Sequence, residues 1–193
     1  DQIINDLCIN NSNALILVYR ASIYGNKDMT HLGFNDITML SNMPNLMYLA
    51  PTTVEELESS IRYGVEHHNH PIAIRIPVES PIYETSQSNT TECPVTSCNI
   101  TQSGNTIAII GVGNFYHKAV ELSHAIHDAI HILPTLVKPL CISSLDTDTL
   151  NELTKNHNIV ITLEDGELEG GYGQKIASYY GKTSMNVLNY GIS

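Results

Sequence analysis

Arginine is scarce in these 193 residues: only Arg20, Arg62 and Arg75 occur. Arg20 and Arg75 each follow or close a short apolar run, 14–18 and 72–76, so each is expected at the carboxyl end of a strand. In open parallel sheets that edge is where ligands bind. Two planar, permanently charged forks on one edge of an acidic protein suit the capture of a phosphate or carboxylate. One salt bridge each to a neighbouring acid is the alternative. Arg62 falls on the outer side of an expected helix and reads as solvated. His31 belongs to the Gly- and Asn-containing loop 25–33, which follows the first strand, where the catalytic groups of such sheets gather.

Other reactive types carry weaker patterns. Gly111-Val-Gly113 follows an apolar run and precedes a helical stretch, but position 116 is Tyr where a dinucleotide fingerprint needs its third glycine. A tight strand-to-helix turn accounts for it better. Two of His124, His127 and His131, at i, i+3, i+7 spacing, could share a helix face, yet no Cys or carboxylate completes a ligand set, so they read as a solvated or half-buried face rather than a metal site. His67, His68 and His70 suit a helix end. Cys93 and Cys98 form one C-x4-C pair with no second pair at zinc spacing. With Cys8 and Cys141 they make no disulfide framework, which points to a reducing cytoplasm. The N-x-[ST] matches at Asn10, Asn89 and Asn99 read as chance. Glu164-Asp165-Gly166, followed by Gly170-Gly-Tyr-Gly173, stands after an apolar run, and composition leaves open whether it is structural or functional.

Elements that would position these groups alternate along the chain. Apolar runs at 14–18, 46–50, 72–76, 106–110, 132–137, 159–163 and 186–190 read as strands buried on both faces. Helical patterns at 54–67, 115–128, 150–156 and 173–180 lie between them. The first carries Val54, Leu57, Ile61 and Val65 on one stripe after a capping box, Thr53-x-x-Glu56. Repeated strand and helix predicts an α/β fold of two consecutive, mainly parallel units with right-handed crossovers. The stretch 80–104, rich in Ser and Thr and without Lys or Arg, reads as the linker between a unit at 1–79 and a second at 105–193. Apolar residues make up 42% and the net charge is −11, which suits a globular chain and excludes nucleic acid or an anionic membrane as main partner. No apolar run approaches the ~18 residues a membrane span needs, and no signal peptide pattern opens the chain. The chain begins at Asp1 and ends on a strand, so a piece of a longer protein is expected.

Thr30-His-Leu-Gly-Phe-Asn-Asp36, Met43-Pro-Asn45 and Ala50-Pro51 resemble the pyrimidine-binding domain of transketolase-like thiamine diphosphate enzymes. The opening Asp1-Gln-Ile-Ile-Asn-Asp6, the Arg20-Ala21 turn, Ala73-Ile-Arg75-Ile-Pro77 and Leu163-Glu-Asp-Gly166 with Gly170-Gly-Tyr-Gly173 narrow the resemblance to the 1-deoxy-D-xylulose-5-phosphate synthase family. It spans essentially the whole chain but only the later part of such an enzyme.

The resemblance implies a partial pyrimidine-binding domain, a truncated transketolase C-terminal domain, and a homodimeric transferase. Its reaction would join pyruvate to D-glyceraldehyde 3-phosphate with loss of carbon dioxide, supplying isoprenoid, thiamine and pyridoxal biosynthesis. By position, Arg20 and Arg75 match the family arginines that hold the aldehyde's phosphate, His31 matches the histidine near the reacting centre, and Asp28 lies near a family loop Asp. The sequence departs from the family at Tyr19, Lys27, Leu32 and Val78. Thiamine diphosphate and Mg2+ are implied for the parent enzyme, but the diphosphate motif and the ylid-generating glutamate are not in this chain. The fragment alone is therefore expected to be inactive. A transketolase, the β chain of a 2-oxoacid dehydrogenase E1, and a non-catalytic assembly module are the alternatives.

Overall fold

The computed structural model describes residues 1–23, 30, 32–66, 69–77 and 95–193. A π-helical turn, Ile3–Cys8, opens the chain and buries Cys8 completely. Three strands, β1 (Leu15–Ala21), β2 (Met47–Leu49) and β3 (Ile72–Pro77), form a parallel sheet in the order β1-β3-β2. The helix α1 (Asp36–Leu40) precedes β2, and α2 (Val54–Glu66) connects β2 to β3. A second sheet has the order β4-β6-β5-β7-β8, from β4 (Cys98–Gln102), β5 (Thr106–Val112), β6 (Thr135–Pro139), β7 (His157–Glu167) and β8 (Asn186–Ile192). All its pairs are parallel except β4 with β6. Helices α3 (Tyr116–Ile130), α4 (Thr147–Leu153) and α5 (Tyr172–Tyr180) complete it. Among the described residues no helix is long and apolar enough to cross a membrane.

The α/β expectation holds, with instructive differences at the element ends. The strand β4 lies inside the stretch read as linker. Its sequence, Cys-Asn-Ile-Thr-Gln, suits an exposed antiparallel edge, where the lone Ile100 among polar neighbours gives no apolar run. Helix α2 is capped at Thr53, whose hydroxyl accepts from the Glu56 amide at 3.2 Å, but the Glu56 carboxylate returns to Thr52 rather than Thr53. Leu57 and Ile61 pack on Leu49, Ile72 and Ile74, whereas Val65 is 55% exposed. The buried positions of the last turns are Ser60 and Gly64, because a four-residue spacing drifts off a 3.6-residue helix. The sixth strand starts at Thr135, since His131 ends α3 in the left-handed region at φ +57°. Helix α1 and the opening π turn carry no long apolar period and escape a pattern reading.

The two sheets share one core. Ile37, Tyr48, Ala50 and Ala73 pack in the same buried cluster as Ile110, Val137, Val160 and Tyr172. Backbone pairing joins them too: the Ala50 amide donates to Leu140 O and the Ile142 amide to Tyr48 O, each at 2.8 Å. Lys138 of β6 pairs with Glu56 of α2 at 2.5 Å, with its ammonium 5.2 Å from the Tyr116 ring centre.

Candidate functional site: an arginine between two sheets

Arg75 is the one charged residue in the strand sequence Ile-Ala-Ile-Arg-Ile-Pro, and it is 2% exposed. A buried guanidinium is tolerated only with partners for its donors. Its Nε donates to Asp36 Oδ2 at 2.7 Å and its Nη2 to Asp36 Oδ1 at 3.1 Å, a side-on bidentate pair with the first residue of α1. Nη1 donates to Asp165 Oδ1, and Nη2 also reaches the Asp165 backbone carbonyl at 3.4 Å. Tyr48 of β2 donates its hydroxyl to Asp36 Oδ2. One arginine of the first sheet thus serves carboxylates from both units. Asp165 is fully buried, and its Oδ2 has no hydrogen-bond partner among the described residues.

Burial pushes the Arg75 pKa down, but the two carboxylates outweigh it, and the group stays protonated beyond its ordinary range. Tyr48 is shifted upward, by burial first and then by the charge of Asp36. The turn after β5 makes room for this cluster. Gly113 sits at φ +55°, and a Cβ there would lie 2.7 Å from Arg75 Nη1. The Gly-Val-Gly run is therefore a packing device beneath an ion pair, in line with the tight-turn reading.

Arg20 is the residue before the last in β1, exposed and at φ +60°. Strand β1 lies directly beside β3 with Val18 opposite Arg75, and the register slips between Tyr19 and Ala21. Both arginines therefore belong to the carboxyl ends of neighbouring parallel strands. Beyond Arg20, Ser22 and Gly33 exchange backbone hydrogen bonds at 2.7 and 3.2 Å. His31 and Asp28, together with Lys27 and Val78, lie outside the described residues.

The Glu-Asp-Gly stretch lies inside β7 rather than after it, and it splits its two acids between two tasks. While Asp165 meets Arg75, Glu164 accepts from the amides of Tyr172 at 2.8 Å and Gly173 at 2.9 Å, and so serves the free N–H groups at the start of α5. Burial pushes its pKa up, opposed by those amides. A Cβ at Gly171 would fall 2.5 Å from Glu164 Oε2, which explains one glycine of that run. Further contacts join the units nearby. The Lys175 ammonium donates to Ser41 O at 2.7 Å, to Ser41 Oγ at 3.1 Å and toward the carbonyls of Ile142 and Ser143, and burial lowers its pKa.

Among the described residues no group of three or more His, Cys, Asp or Glu could hold a metal ion. The buried acids Glu164 and Asp165 already serve α5 and Arg75. The donor set of the described residues does not fit Mg2+ with a diphosphate.

Asp36, Tyr48 and Asp165 are the members of the Arg75 cluster that sequence reasoning did not assign. Their signal was Arg75 itself: a charge inside an apolar strand demands nearby acids, and Asp36 follows an expected loop while Asp165 follows an expected strand.

Known proteins match on both units. The family profile for the transketolase pyrimidine-binding domain covers residues 1–81, and that for the transketolase C-terminal domain covers 96–192. Among curated relatives, the 1-deoxy-D-xylulose-5-phosphate synthase of Alkaliphilus oremlandii is 34% identical over 90% of this chain and 27% of that protein. The protein of the same name from Lachnoclostridium phytofermentans is 32% identical over 93% of this chain and 28% of its own length. The chain thus spans under a third of the curated relatives it matches. A solved structure described as a split-gene transketolase, an inactive beta4 tetramer, superposes with TM-score 0.86 at 20% identity, covering 100% of this chain and 61% of that one. With two consecutive family domains in order on the fold just described, the chain belongs to the transketolase family.

Proposed function

We propose that the chain is the acceptor-binding part of a thiamine diphosphate- and Mg2+-dependent synthase that condenses pyruvate with D-glyceraldehyde 3-phosphate to 1-deoxy-D-xylulose 5-phosphate and carbon dioxide. The observation that carries this is the pairing of β1 with β3, which puts Arg20 and Arg75 at the carboxyl ends of adjacent parallel strands in a chain whose relatives bear that synthase name. In this reading the aldehyde's phosphate is held at that edge by Arg20 and, when its contacts to Asp165 open, by Arg75, with each charge-assisted hydrogen bond contributing about 1.5–3 kcal/mol. His31 hydrogen-bonds or protonates substrate oxygens, and Asp28 lines the same loop. The cofactor's ligands come from other parts of the parent enzyme, a cytoplasmic homodimer, and residues 1–193 alone do not turn over pyruvate.

The test is kinetic and uses the full-length parent. Arg20→Ala raises the KM for glyceraldehyde 3-phosphate by about tenfold or more with little change for pyruvate, which is the signature of a lost acceptor contact. Arg62→Ala changes neither. An Arg20 variant with an unaltered KM for the aldehyde removes the phosphate assignment. Pyruvate turnover by residues 1–193 above the free-cofactor background removes the partial-site reading.

A further inference from the structure

A guanidinium offers two bidentate edges: the side-on edge, Nε with Nη2, and the end-on edge, Nη1 with Nη2. In Arg75 the side-on edge is taken by Asp36, which belongs to the same unit as Arg75. The end-on edge is taken by a single residue of the other unit, Asp165, through its carboxylate oxygen and its backbone carbonyl. Asp165 thus sits where a phosphate would make its paired contacts, and Arg75 is 2% exposed while it does so. Gly113 walls the same spot, with its α-hydrogen side turned toward Nη1 and Asp165 Oδ1.

We propose that Asp165 is a built-in competitor for phosphate at Arg75, so that anion binding at this arginine and the β3–β7 contact exclude one another. This rests on the reading that the phosphate of the acceptor is held at the β1–β3 edge. With the latch closed, Arg75 binds Asp165 and the phosphate is left to Arg20. With the latch open, Asp36 keeps the guanidinium in place by its side-on edge and the end-on edge turns to the anion. The exchange breaks two contacts of Arg75 to Asp165 and makes two to phosphate, so no donor stays unpaired in either state. Because the two bonds belong to different units, an anion that opens the latch loosens the seam between the sheets, and by linkage a tighter seam weakens the anion.

The experiment uses residues 1–193 with inorganic phosphate as probe and chloride at equal ionic strength as reference. Two readouts apply: phosphate binding by titration, and amide hydrogen exchange of the β5–α3 turn and of β7. Phosphate is expected to speed exchange in residues 111–116 and 163–167 of the unaltered chain. Asp165→Asn, which keeps the shape but removes the charge, is expected to tighten phosphate binding by about tenfold. Adding Arg75→Gln to that variant should abolish the gain. Exchange that ignores phosphate, or an Asp165→Asn chain that folds and binds no more tightly, overturns the latch. If Arg20→Gln still weakens phosphate in that case, the acceptor-site reading survives the loss of the latch. If neither arginine affects phosphate binding, the acceptor-site reading falls and the latch falls with it.

Discussion

Replacing Gly113 by alanine tests the buried cluster from its least obvious side. The added methyl carbon would lie 2.7 Å from Arg75 Nη1 and 3.1 Å from Asp165 Oδ1, well inside contact distance, on a backbone held at φ +55°. The left-handed conformation alone costs a non-glycine residue about 1–2 kcal/mol. Pushing the guanidinium away from Asp165 adds to this, since a buried charge deprived of its partner costs about 3–5 kcal/mol. Partial relaxation of the turn recovers some of the second cost, so the expected loss is about 3–5 kcal/mol. That is a large share of the 5–15 kcal/mol that stabilises an ordinary domain. Equilibrium unfolding in urea at pH 7 measures it directly. Gly181→Ala serves as the control, because Gly181 has φ −58° and its nearest contacts to a Cβ are at 3.4 Å. That variant should stay within about 1 kcal/mol of the parent. A Gly113→Ala chain within about 0.5 kcal/mol of the parent would refute the reasoning, because neither the turn nor the ion pair could then be as tight as described.

Tyr48→Phe removes the hydroxyl that donates to Asp36 and should cost about 2 kcal/mol in unfolding experiments. The same phenol should stay protonated when the exposed tyrosines ionise, since burial and then Asp36 raise its pKa, and ultraviolet titration of Tyr48→Phe against the parent reads this. Glu164 should behave opposite to an ordinary salt-bridged acid. Its folded pKa lies above the ordinary glutamate value of 4.5, so the folded state binds more protons and the contribution of Glu164 falls as pH rises from 4.5 through the folded pKa. The stability gap between the parent and Glu164→Gln should therefore narrow over that window, and a gap that widens with pH would reverse the assignment. Lys175→Met strands the Ser41 and Ile142 carbonyls at the seam and should lower stability by about 1–3 kcal/mol in the same urea assay.

Much of this was legible because buried parallel strands advertise themselves. The runs ending near Ile76, Ile110 and Leu163 are nearly continuous in apolar residues, and each is a strand. Arg20 and Arg75 stood out for the same reason, as charges at the ends of such runs. What spacing cannot carry is direction. Arg75 reads equally well as a fork facing solvent or as one buried against acids, and only the fold brings Asp36 and Asp165, 39 and 90 residues away, onto its two edges. Adjacent Glu164 and Asp165 looked alike in composition, yet successive residues of a strand face opposite sides, and so one serves α5 and the other Arg75. Strand β4 was hidden because an exposed edge needs no apolar residues, and α1 because five residues give no period.

The backbone pairing of Tyr48 and Ala50 with Leu140 and Ile142 bears on how the chain would respond to cleavage. These bonds join sequence positions on either side of the interval 78–94, and the shared core of Ile37, Tyr48, Ile110 and Val160 backs them. A single cut introduced within that interval would leave two polypeptides that still own complementary surfaces. They should co-elute as one particle under native conditions and separate only in denaturant. Two genes encoding the halves separately could then reconstitute the same fold, with the seam between the sheets acting as a subunit interface.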